Sequence, residues 1–118
     1  MSSGRPTLEH TLVVAVIVIG GPDELVEATR RAAALVTNAA VVTADVATAA
    51  TKVANTRPFA IVVSDELYSF DAAEFDALAR DVQASLIALP SDGVSVRTLQ
   101  QRLTPLVMDA YRDHFGRR

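Results

Sequence analysis

The chain predicts an α/β sandwich, a small parallel sheet covered by helices on both faces, and three observations point there. Strand-like and helix-like segments alternate four times along the 118 residues. The strand-like segments are continuous runs of Val, Ile and Ala, as expected where both faces of a strand are covered, rather than an in-out alternation. The links between segments are short, which favours right-handed crossovers between parallel neighbours.

Residues 1–7, with Gly4 and Pro6, form a flexible lead, and residues 8–116 form one domain. Thr11 to Ile19, TLVVAVIVI, is the first strand. Gly20 and Gly21 allow a sharp turn, Pro22 suits a first helical turn, and Asp23 and Glu24 favour the positive end of a helix. That helix carries Leu25, Ala28, Ala32 and Leu35 on one face and runs to about Thr37. Ala39 to Thr43 is the second strand. Asp45 caps a helix through Val46, Ala49, Ala50, Val53 and Ala54, closed by Arg57-Pro58. Phe59 to Val63 is the third strand, and Ser64-Asp65-Glu66 begins a loop. Asp71 with Glu74 has the spacing of a capping box, opening a helix whose inner face is Phe75, Leu78, Ala79 and Val82. Ala84 to Leu89 is the fourth strand, ended by Pro90-Ser91-Asp92-Gly93.

Ser95 caps the final helix, which carries two apolar stripes. One is Leu99, Leu103, Leu106 and Ala110; the other is Val107, Met108, Tyr111 and Phe115. Pro105 lies inside this helix and removes a backbone hydrogen bond, which predicts a kink or a restart capped by Thr104. The double stripe is either a broad core face or a surface for a second copy of the chain, a homodimer through the C-terminal helix.

Composition excludes several functions. The chain has no cysteine, so disulfides, thiol catalysis and cysteine-based zinc sites are absent, in keeping with a reducing compartment. His10 and His114 are far apart in sequence. A net charge of -3, with ten of the eleven basic residues arginines scattered along the chain, opposes a nucleic-acid groove. Arg117 and Arg118 form a short basic tip. The apolar run from Leu12 to Ile19 is too short to span a membrane and lacks a signal-cleavage pattern, so the expectation is a cytoplasmic protein.

The two most apolar strands, the first and third, belong at the centre, giving the order 2-1-3-4. Ligands of such sheets bind beyond the strand C-termini, where adjacent connections leave to opposite faces. The residues at that crevice are Gly20, Gly21, Asp23, Ser64, Asp65 and Glu66. Gly20-Gly21 is either an anion cradle ahead of a helix or a turn that needs glycine for its backbone alone. Asp65 and Glu66 either hold a cation with Asp23 or stay hydrated. Ser64 and Ser91 lack a placed base, which excludes hydrolase chemistry. Leu67, Tyr68 and Phe70 either fold back over the sheet edge or form a recognition surface.

VIGGPDELVEATRRAA from Val18, PFAIVVSDELYSFDAAEF from Pro58 and ALPSDGVSVRTLQQRL from Ala88 together resemble the receiver domain of bacterial response regulators, a flavodoxin-like fold. The resemblance implies a phosphate-accepting position at Ser64 or, sliding by one, at Asp65. It also implies an acidic pair where Gly20 and Gly21 stand, and a lysine where Leu89 precedes the retained Pro90. A receiver needs the acids to hold magnesium, and the ion and lysine to neutralise the phosphoryl oxygens. Without them, and with one strand-helix unit fewer, the likeness implies a pseudo-receiver: a non-catalytic signalling or scaffold module that works through protein partners, with neither metal nor cofactor. Its interface candidates are Leu67, Tyr68, Phe70, Leu99, Leu103, Met108, Tyr111 and Phe115. AIVVSDEL and LIALPS are also similar in style to the small F-like accessory subunit of rotary V/A-type ATPases, which implies a component of such a motor as an alternative. A working phospho-acceptor on Asp65 is the other.

Overall fold

The computed structural model describes residues 14–116. The order is β1 (Ala15–Ile19), α1 (Asp23–Val36), β2 (Ala40–Ala44), α2 (Ala49–Thr56), β3 (Ala60–Ser64), α3 (Asp65–Phe70), α4 (Ala72–Val82), β4 (Ser85–Leu89) and α5 (Val96–Phe115). All strand pairs are parallel and the sheet order is 2-1-3-4, the expected flavodoxin-like arrangement. The expected lead over residues 1–7, the strand start at Thr11, His10 and the Arg117-Arg118 tip lie outside the described residues.

The continuous apolar runs have the cause inferred for them. Every residue of β1 and β3 is buried, because helices cover both faces. Val16, Val18 and Val62 turn to one side, where α1 and α5 bring Leu25, Ala28, Leu99, Leu103 and Val107. Ile17, Ile19, Ile61 and Val63 turn to the other, against Val53 of α2 and Phe75 and Ala79 of α4. The edge strand β2 is only partly covered. Among the described residues no helix is long and apolar enough to cross a membrane.

Four local expectations are corrected. The segment after β3 is not a loop: Ser64 accepts a hydrogen bond from the Leu67 N–H at 3.2 Å and starts α3 directly, with Asp65 and Glu66 in its first turn. The Asp71–Glu74 capping box does not form. Asp71 sits between two helices, and its backbone carbonyl, not its side chain, accepts from the Glu74 and Phe75 N–H groups. Asp45 holds a turn instead of opening the helix directly: its Oδ1 accepts from the Thr48 N–H and hydroxyl, and α2 begins at Ala49. Finally, α5 does not restart at Pro105 but runs through it, and the Thr104 hydroxyl donates back to the Gln100 carbonyl.

The stripes of α5 also differ from the expectation. Leu99, Leu103, Val107 and Ala110 are buried, whereas Leu106 and Met108 are exposed. Below them Phe59, Tyr111 and Phe115 form an aromatic cluster, with ring centroids 5.5 Å (Phe59–Tyr111) and 4.8 Å (Tyr111–Phe115) apart. The edge-to-face contacts of Phe59 with Tyr111 and Phe115 hold the end of α5 to the start of β3.

Candidate functional site

The crevice expected between the C-terminal ends of β1 and β3 is built from glycine, a hydroxyl and a leucine. Strand pairing puts Ser64, not Asp65, at the last position of β3, opposite Leu89 of β4. Asp65 is already the first residue of α3 and is exposed, as is Glu66. Ser64 is buried, and its Oγ receives the Leu67 N–H. That cap swings α3 so that Leu67 lies over the end of β1: a β-carbon at Gly20 would stand only 2.8 Å from Leu67 Cδ2. Gly20 also has φ of +77°, a conformation that suits glycine, and its N–H donates to the Ala44 carbonyl at 2.7 Å. Gly20 therefore has a structural duty, and the backbone-turn reading of the glycine pair accounts for it.

The six crevice candidates are thus separated, with Gly21 exposed on the link between β1 and α1. Gly20 and Asp23 open toward β2, on an open groove of about 750 Å³ shared with Val26, Glu27, Arg30, Asp45 and Lys52. Ser64 is sealed under α3. Asp65 and Glu66 point their charges to solvent from its first turn. Among the described residues, no three acidic or imidazole side chains gather as metal ligands.

Sequence reasoning missed the β2 side of this edge. Lys52, the single lysine of the chain, donates from Nζ to the Thr43 carbonyl at 2.9 Å and thereby closes one wall of the groove. Glu27 is engaged with Arg31 at 3.0 Å. The Thr48 hydrogen bonds hold the Asp45 carboxyl below its ordinary range, with lesser help from the Lys52 charge. Glu27 also lies 3.9 Å from Arg30, so the charged groups of this groove are held by their neighbours on α1 and by the β2–α2 link. Ser91, on the β4–α5 link, is buried with no hydrogen-bond partner for its Oγ among the described residues, and it lines a separate groove with Glu24 and Asp92. His114 is no base for it: its ring accompanies the end of α5, with Nδ1 3.1 Å from the Gln83 carbonyl at the end of α4.

The interface candidates divide in the same way. Leu99 and Leu103 are fully buried between α5 and α1 and cannot meet a partner, because the core already uses them. Tyr111 is half-buried against Phe59, and Phe115 meets Phe59 edge-on but stays exposed. Met108 stays exposed with Leu106. Leu67 and Tyr68 pack partly into the α2–α4 side of the core, while Phe70 is 85% exposed. Comparisons with protein-family models, with curated proteins and with solved structures find no match to this chain.

Proposed function

We propose that the chain is a non-catalytic, pseudo-receiver signalling or scaffold domain that acts through protein contacts in the cytoplasm. The observation that carries this reading is the contact of Leu67 with Gly20. A phosphoryl group accepted at the end of β3 would need a carboxylate aimed into the crevice, acids at the end of β1 to hold a cation, and a positive charge on the neighbouring strand. Ser64, the glycine pair and Leu89 occupy those places, and an aliphatic side chain lies across the opening. What the fold offers instead is surface: Phe70 beside α4, and the outer face of α5 with Leu106 and Met108, where a second copy of the chain would sit in a homodimer.

The test is to incubate the protein with acetyl phosphate and magnesium and measure its intact mass. The expected result is an unmodified chain. A phosphoryl adduct mapped to Asp65 would overturn the reading in favour of a working acceptor.

A further inference from the structure

The least explained part of the surface is the corner where α3 meets α4. Phe70, the last residue of α3, is 85% exposed, and Val46, across from it ahead of α2, is 57% exposed. Between them lies an apolar cleft of about 110 Å³, floored by Ala49, Leu67 and Leu78 and rimmed by Asp71 and Glu74. Exposed aromatic residues over an apolar pocket are the usual anchors of protein recognition.

The α3–α4 side of the cleft is acidic: Asp71 and Glu74 line it, and the single charge of α2, Lys52, is not among the lining residues and is bonded to the Thr43 carbonyl. Residues 65–82 carry Asp65, Glu66, Asp71, Glu74, Asp76 and Asp81 against Arg80 alone, a larger acidic surplus than the net -3 of the whole chain. Among the described residues none of these six carboxylates is in an ion pair; the pairs that form involve Glu27 and Asp109. An apolar cleft with an unneutralised acidic rim favours an occupant that supplies both a hydrophobic anchor and positive charge.

From this we infer that the cleft between α2 and the α3–α4 corner docks a cationic amphipathic helix of a partner protein, with an aliphatic side chain beside Phe70 and Lys or Arg against Asp71 and Glu74. This rests on the reading of the domain as a protein-contact module and gives that contact a place and a chemistry. The walls of the cleft are helices, so a helix laid in the groove fits better than an added strand. An anionic lipid surface is repelled by the rim. A second copy fits less well: the chain's own basic helix, α5, turns Leu99, Leu103 and Val107 into its own core, and its outer arginines alternate with Asp109 and Asp113. A head-to-tail contact of unlike patches would also build a ring or a filament rather than a closed symmetric pair. Because Leu67 lines the cleft and also lies on Gly20, an occupant that presses on Leu67 is felt at the end of β1.

The experiment titrates the isotope-labelled protein with a synthetic helical peptide of Leu and Lys at amphipathic spacing, followed by amide chemical shifts. A Leu/Glu peptide of the same pattern serves as control. Saturable shifts at Leu67, Phe70 and Leu78, with Gly20 following, are expected for the Lys peptide alone. Phe70→Ser should weaken binding at least about tenfold, and Asp71→Lys with Glu74→Lys should abolish it while the rest of the spectrum stays folded. Equal binding of the Glu peptide, shifts confined to α5, or an unchanged affinity of Phe70→Ser would each overturn the inference. So would concentration-dependent self-association of the free protein that Phe70→Ser abolishes, because the face would then belong to a second copy. None of these outcomes bears on phosphoryl transfer, so this inference can fail while the broader reading stands.

Discussion

Gly20 meets two demands at once. Its φ of +77° lies where a side chain is strained, and the space a β-carbon would fill is held by Leu67. The Leu67 contact is with the end of a flexible side chain and is relieved by a small rotation, so the backbone term dominates. Gly20→Ala should therefore destabilise the fold by about 1–2 kcal/mol in urea unfolding, the usual cost of a left-handed conformation for a residue with a β-carbon. Combining it with Leu67→Ala should leave most of that loss in place. An unchanged midpoint for Gly20→Ala would mean that the turn is not built this way. The glycines were legible in the sequence as a turn, but the leucine above them was not: the two residues are far apart in the chain and meet only because Ser64 caps α3.

At the scale of elements, α3 was the least legible. Six residues are too few for a helical period to show, and DELYSF mixes polar and apolar positions. The signal was present in another form, as Ser64 followed by two acids, an N-cap with a negative first turn. In α5 the sequence offers apolar residues at 106, 107 and 108 in succession, so periodicity could not choose among them. Burial chose Val107, in line with Leu103 and Ala110. Helix α3 is fastened to α4 by Tyr68, whose hydroxyl donates to Asp76 at 3.0 Å. That hydrogen bond, with some desolvation and the carboxylate charge, raises the Tyr68 pKa above its ordinary 10.0. For a phenol held in its neutral form by folding, the contribution to stability is fully present below the unfolded pKa and is lost as pH rises through the folded one. In a Tyr111→Phe background, phenolate absorbance should reach half its change above pH 10.0, and Asp76→Asn should bring that midpoint down. A midpoint that ignores Asp76→Asn would show that the tether is not made in solution.

For the molecule as a whole, sheet order and layering followed from the sequence because burial on both faces is a strong constraint. The central strands read as AVIVI and AIVV, unbroken by a polar residue until Ser64, because both of their faces are covered. The site was less legible because its character is set by what lies across it, which is a matter of tertiary contact. The residue types at the strand ends could be read directly, but their separation into a sealed Ser64, solvated Asp65 and Glu66, and an Asp23 turned toward β2 could not. The contact of Leu67 with Gly20 joins α3 to the end of β1, and the apolar cleft with its acidic rim lies on the other side of the same leucine.

The most direct test of whether Leu67 closes the crevice is an amide-shift titration of the protein with magnesium and beryllofluoride, a stable mimic of a bound phosphoryl group. The amide signals of Gly20, Ser64 and Asp65 are expected to keep their positions throughout. Saturable, magnesium-dependent shifts at those three residues would contradict the closure.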